Sequence, residues 1–73
     1  MKKGLWDAAI ADLSRAISLD PDFPAAYANR GLAFEAKGDR ERARADFNAA
    51  LKVPPQYPDA EAARTVARDR LAR

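Results

Sequence analysis

An internal repeat with a period of 34 residues constrains the possible folds of this chain more than any other feature of its sequence. At this offset, residues of matching type align from a turn glycine, through a segment of helical length, to a proline-rich stretch. The aligned pairs are Gly4 and Gly38, Ala9 and Ala43, Leu13 and Phe47, Ala16 and Ala50, Ile17 and Leu51, Leu19 and Val53, Pro21 and Pro55, Phe23 and Tyr57, and Pro24 and Pro58. Such self-similarity at a fixed period is the signature of repeat architectures.

The apolar residues within each copy recur every three or four positions, which predicts helices. A first helix is expected over residues 5–19, and Pro21 ends it. A second helix is expected over residues 24–37, where Gly38 is suited to a left-handed C-cap.

The second half of the chain follows the same pattern. Asp39 is a candidate N-cap for a third helix, which Pro54 ends, and Pro58 is expected to open a fourth. No segment alternates apolar and polar residues for long enough to form a strand. We therefore predict an all-α fold of about four helices.

Histidine and cysteine are both absent from the sequence. Without histidine the chain lacks the commonest general base, and without cysteine it has no disulfide and no thiolate metal ligand. Ser14, Ser18 and Thr65 consequently have no histidine to activate them, and there is no glycine-rich phosphate loop. We predict no catalytic residue, no cofactor and no metal site, and we do not expect an enzyme.

The charge balance and the apolar segments bear on the partners and the environment of the protein. The 13 Lys and Arg against 11 Asp and Glu give a net charge of only +2, so nucleic-acid binding is not expected. No apolar stretch approaches the roughly 20 residues that span a bilayer. We expect no membrane contact and a cytoplasmic location, unless the chain is part of a longer protein. The excess of Arg over Lys and the abundant alanine are typical of a bacterial source rich in GC.

The segment 24–57 carries aromatic and small residues at the spacing of a known signature. They are Tyr27, Gly31, Phe34, Ala43, Phe47, Ala50 and Pro55. On these residues the segment resembles one complete tetratricopeptide repeat, a helix–turn–helix unit of about 34 residues. Arg30 departs from the pattern, because the family usually has leucine there. The resemblance implies that the two helices cross closely at Gly31 and Ala43, with the three aromatic residues in the core.

The flanking segments resemble parts of neighbouring repeats. Residues 4–23 resemble the second helix of a partial repeat whose first helix is missing, and residues 58–73 resemble a first helix or a capping helix. Glu61 and Arg68 stand where the family has aromatic residues, and Thr65 stands at a small-residue position. Because charged side chains would not pack under a further repeat, we expect antiparallel helical hairpins stacked as a short solenoid, capped at the C-terminal end of an array.

The resemblance implies an interaction module that binds a peptide or partner protein in a groove lined by the first helix of each repeat. By phase, the groove positions are Ala25, Ala28, Asn29, Leu32, Glu35, Ala36, Asp59, Ala62, Ala63, Val66 and Asp69. Asn29 is the strongest candidate for ligand contact, because its amide both donates and accepts hydrogen bonds. The alternative is that Asn29 makes only local hydrogen bonds. Some family members clamp acidic C-termini with Asn, Lys and Arg, but Asp59 and Ala63 at the corresponding positions predict no such clamp.

The first helix is expected to carry an apolar strip that the missing helix would cover. Trp6, Ala9 and Leu13 form this strip. Exposed apolar surface favours association, so the alternative function is a structural segment that forms a homodimer or a helix-swapped oligomer through this face. A second possibility is that Trp6 folds back over the strip and covers it.

Two arginine clusters lie in the third helix and the last helix. Their members are Arg40, Arg42 and Arg44, and Arg64, Arg68, Arg70 and Arg73. Acidic residues are interleaved, so we expect ion pairs such as Arg42 with Asp46 and Asp69 with Arg73. The clusters are interpreted as solvated helix faces, and nucleic-acid binding through the last helix is the weaker alternative.

Overall fold

Four α-helices make up most of the chain that the computed structural model describes, which comprises residues 3–54 and 57–73. In chain order they are α1 (Lys3–Leu19), α2 (Pro24–Ala36), α3 (Arg40–Lys52) and α4 (Ala60–Ala72). No strand occurs in those residues, and none of these helices is long and apolar enough to cross a membrane. The predicted all-α class with about four helices is confirmed. The signature position Pro55 lies outside the described residues.

The ends of α2 and α3 follow from local residue chemistry. Pro24 occupies the first turn of α2, where its missing N–H has no helical acceptor to lose. Gly38 has a φ of +90°, and its N–H donates to the carbonyl of Glu35 at 3.0 Å. The Asp39 carboxylate then accepts the backbone N–H of Arg42 at 3.1 Å. The predicted C-cap glycine and N-cap aspartate are therefore confirmed.

Two helix starts differ from the sequence prediction. Gly4 aligns with the turn residue Gly38 but lies inside α1, where no residue requires a positive φ. Pro58 does not open α4, because it lies in a turn that the Ala60 N–H closes by donating to the Tyr57 carbonyl at 3.0 Å. Proline is well suited to the second position of such a turn, so α4 begins only at Ala60.

Alanine residues from three helices surround one phenylalanine to form the core. The buried cluster comprises Ala28, Ala43, Phe47, Ala50, Ala63 and Ala67. The Phe47 side chain lies so close to α2 that a Cβ on Gly31 would approach its ring to 2.7 Å. The close approach of the two helices predicted at Gly31 is therefore confirmed, and Ala43 is buried at 1% exposure. Tyr27 and Phe34 pack against this core but stay half-buried.

Equivalent positions of the two repeat copies differ sharply in burial. Phe47 and Ala50 on α3 are 1% and 0% exposed. Leu13 and Ala16, at the same positions on α1, are only half-buried. The difference arises because α3 packs against both α2 and α4, whereas α1 contacts α2 alone among the described helices. One face of α1 therefore lacks the helix that its counterpart in the complete repeat has.

Candidate functional site

An open cavity of about 220 Å³ lies between α2 and α4, which pack side by side. Its lining residues are Ala25, Ala28, Asn29, Asp59, Ala62, Ala63 and Val66. Each of them stands at a groove position predicted from the repeat phase. The structure thus brings together residues of the second and the last helix that are far apart in sequence. We call this cavity the α2–α4 groove.

Three further residues of α2 that were predicted for the groove lie outside it. Leu32 is half-buried and packs against the core cluster. Glu35 lines a different cavity, where its carboxylate forms an ion pair with Arg70 at 3.4 Å. Ala36 is exposed at the end of α2. On α4, Asp69 is exposed and also lies outside the groove lining.

The groove has a small apolar floor and polar groups at its edge. Ala28 and Ala63 are 2% and 6% exposed and form the floor. Asn29 is exposed at the edge, and its side chain makes no hydrogen bond to another described residue. Asp59 occupies the N-cap position of α4, but its carboxylate makes no side-chain capping bond. The groove therefore offers one amide and one carboxylate beside side chains short enough to admit a peptide backbone.

The described residues contain no group of three or more acidic side chains that could hold a metal ion. The groove itself has a single carboxylate, that of Asp59. Its volume is also below the roughly 300–1,000 Å³ of sites that enclose small molecules. The dimensions and the lining favour one or two side chains of a polypeptide ligand.

The strip predicted for self-association lies on α1 and is half-buried. Trp6, Ala9 and Leu13 all have intermediate exposure, so they form a partly covered face. Leu5 lies one turn before Ala9 and is 57% exposed. Together with Ala9 and Leu13 it continues an apolar stripe at four-residue spacing along α1.

A polar contact that sequence reasoning did not predict joins three helices. Arg30 on α2 donates two hydrogen bonds to the Asp46 carboxylate on α3, at 2.7 and 2.8 Å, and one to the Ser14 hydroxyl on α1 at 3.1 Å. Its guanidinium carbon lies 5.9 Å from the ring centroids of Tyr27 and Phe34. The hydrogen bonding to Asp46 raises the pKa of Arg30 and outweighs burial, which lowers it.

The predicted ion pair of Arg42 with Asp46 is wrong. Asp46 is 5% exposed and faces α2, where it pairs with Arg30 instead. Arg42 forms an exposed ion pair with Asp39, the residue that caps its own helix, at 3.4 Å. The pair of Asp69 with Arg73 is confirmed at 2.9 Å.

Comparison with known protein families supports the repeat assignment. A family model described as TPR repeat matches residues 1–38, which is more than half of the chain, and a model described as Tetratricopeptide repeat matches residues 24–57. No curated protein and no solved structure gives a significant match.

Proposed function

The chain belongs to the tetratricopeptide repeat family, and from that premise we propose that it is a non-catalytic interaction module whose α2–α4 groove binds an extended segment of a partner protein. Repeats of this family generally mediate contacts between proteins. The observation that carries the proposal is the open cavity lined jointly by α2 and α4. Recognition would rest on backbone hydrogen bonds and small apolar contacts.

The groove lining narrows the kind of peptide that would fit. The four alanine side chains leave room for a backbone that approaches the helices closely, and Val66 adds an apolar contact. The exposed Asn29 amide can both donate a hydrogen bond to a peptide bond and accept one from it. Such contacts would hold the ligand backbone whatever its side chains are. Asp59 favours a lysine or arginine on the ligand, since an exposed carboxylate attracts a cation.

We expect that filling the groove abolishes peptide binding. Short displayed peptides would be selected on the immobilised 73-residue chain, and the enriched sequences synthesised and titrated by calorimetry. Ala62→Trp places a large side chain at the exposed edge of the cavity and should weaken binding at least about tenfold, a loss of about 1.4 kcal/mol. Asn29→Ala should weaken it about fivefold, because one or two hydrogen bonds are lost.

Ala11→Trp is the matched control for the groove. Ala11 is an exposed alanine on α1 and lies outside the groove lining, so the same substitution there should leave peptide affinity unchanged. Equal loss in both variants would mean that the peptides bind elsewhere. Failure to enrich any peptide that Ala62→Trp excludes would reject the groove as the binding site.

Self-association through α1 is the alternative, and the unequal burial of equivalent repeat positions supports it. Leu13 is half-buried where Phe47 is 1% exposed, so apolar area on α1 remains uncovered in the isolated chain. A second copy that covers the stripe of Leu5, Ala9 and Leu13, either face to face or by exchange of a helix, would bury it. Trp6 would lie at the edge of such an interface.

Light scattering tests this alternative. If α1 mediates association, the wild-type mass should rise with concentration towards that of a dimer, and Leu5→Lys should return it to the monomer mass. Ala11→Lys introduces the same charge at another exposed position of α1 and should not change the wild-type behaviour. A wild-type chain that stays monomeric at high concentration would reject the alternative.

A further inference from the structure

A second cavity, of about 520 Å³, lies where the start of α3 meets the ends of α2 and α4. Its lining residues are Glu35, Arg40, Ala43, Arg44, Phe47, Arg70 and Arg73. It shares no lining residue with the α2–α4 groove. Four arginines and one glutamate thus line the same cavity. We call this cavity the arginine cleft.

Only half of these arginines have an acidic partner. Arg70 pairs with Glu35 at 3.4 Å, and Arg73 pairs with Asp69 at 2.9 Å. Within residues 3–54 and 57–73, Arg40 and Arg44 form no ion pair. The remaining residues of the chain, 1, 2, 55 and 56, include no Asp or Glu that could supply one. The cleft therefore holds uncompensated positive charge.

The position of Arg40 at the start of α3 is an unfavourable one for a cation. Arg40 is the first residue of α3 and Arg44 follows one turn later. The N-terminal end of a helix carries partial positive charge, so cations there are unfavourable and an anion is favoured. Helix stability consequently gives no reason for arginine at Arg40. An external anion would reduce the repulsion among the arginines and the unfavourable interaction of Arg40 with the helix dipole.

We propose that the arginine cleft is a second binding site, which takes an acidic segment of a partner polypeptide. Guanidinium groups pair with carboxylates in a planar two-bond geometry, and the carboxylates of Glu35 and Asp69 already pair with arginines of the cleft. Ala43 and Phe47 close the base of the cavity and are each only 1% exposed, so recognition would rest on the arginine side chains.

The same features favour an acidic peptide over a nucleic acid. The two unpaired arginines of the cleft, Arg40 and Arg44, line a single cavity, whereas binding along a phosphate backbone needs charges spread over several phosphates. Phe47, the aromatic residue of the lining, is 1% exposed and therefore offers no face on which a base could stack. The net charge of the whole chain is only +2.

Fluorescence anisotropy with a defined probe tests the proposal. The probe is a fluorescein-labelled peptide with one leucine between two pairs of glutamates, amidated at its C-terminus so that it presents side-chain carboxylates only. Its affinity should fall about tenfold in Arg40→Gln/Arg44→Gln and should decrease as salt is added. The same peptide with glutamines in place of the glutamates should not bind.

A variant of equal charge controls for general electrostatic attraction. Arg15→Gln/Arg64→Gln removes two arginines outside the cleft lining and should change the affinity less than about twofold. Equal weakening in the two double variants, or no saturable binding by the wild type, would overturn the proposal. Tighter competition by random duplex DNA, lost in Arg40→Gln/Arg44→Gln alone, would assign the cleft to nucleic acid instead.

The outcome is independent of the α2–α4 groove. Asn29→Ala should leave the affinity for the acidic probe unchanged, because Asn29 does not line the arginine cleft. Conversely, Arg40→Gln/Arg44→Gln should leave the affinity of groove-selected peptides unchanged. If Asn29→Ala or Ala62→Trp weakened the acidic probe as strongly as the cleft variant, the two-site arrangement would be refuted.

Discussion

Replacing Phe47 with alanine is expected to lower the free energy of unfolding by about 3 to 5 kcal/mol, the largest effect of any side-chain truncation in the core. Phe47 is 1% exposed, and the other buried residues of its cluster are all alanines, whose side chains cannot change rotamer to fill the space. Domains of this size have only a few kcal/mol of stability in total. Urea denaturation followed by circular dichroism should therefore show Phe47→Ala to be largely unfolded without denaturant.

Leu13→Ala is the matched control, because Leu13 occupies the equivalent position of the other repeat copy. Leu13 is half-buried and has α2 on one side only, so its truncation removes less apolar area from contact and leaves no enclosed cavity. We expect a loss of about 1 to 2 kcal/mol. Equal losses at both positions would contradict the conclusion that α1 lacks a second packing partner among the described helices.

The repeat period allowed the helices and the core to be predicted because these features depend on local spacing. Phe47 and Ala50 lie one turn apart, so a helix of any orientation puts them on one face. Gly38 and Asp39 also act within a few residues of their positions, as a C-cap and an N-cap. The start of α4 was predicted two residues too early, at Pro58, because proline suits both a first helical turn and a β-turn.

The phase of the repeat also assigns Asn29 and Val66 to groove positions, and both line the α2–α4 groove. For Glu35 the repeat phase alone did not predict the correct cavity. Near the end of α2 the distance to α4 depends on the crossing of the helices, and Glu35 turns to Arg70 in the arginine cleft. The arginine cleft was not predicted, because each arginine cluster on its own has the pattern of a solvated helix face. Only the packing of the start of α3 near the end of α4 brings them together.

The contact between Arg30 and Asp46 was missed for a related reason. The two residues are 16 positions apart, and the local rule for helices gave Asp46 a closer candidate in Arg42. A usable signal was present, because Asp46 precedes the buried Phe47 and lies one turn after Ala43, on the side of α3 that faces α2. A carboxylate at such a position requires a cation from the facing helix, and Arg30 is the residue that departs from the family pattern.

Asp46→Ala is expected to lower the free energy of unfolding by about 2 to 3 kcal/mol. The variant removes two charge-assisted hydrogen bonds and leaves the Arg30 guanidinium partly buried without its carboxylate. The value is below that for a fully buried pair, because the Arg30 side chain is 21% exposed and retains some hydration. Asp69→Ala, which breaks the exposed pair with Arg73, should change stability only within the error of the same urea measurement.

The double variant Arg30→Leu/Asp46→Leu tests whether the Arg30–Asp46 ion pair itself stabilises the fold. The alternative is that the pair contributes little and that only the loss of one partner is costly. Removing both charges leaves no unpaired group, and leucine is the usual family residue at the position of Arg30. We therefore expect the double variant to recover most of the loss seen in Asp46→Ala. Arg30→Leu alone should be destabilising, because Asp46 is then buried at 5% exposure without a cation. If the double variant were instead as unstable as Asp46→Ala, the contact of Arg30 with Ser14 and the two aromatic rings would have to carry the stability.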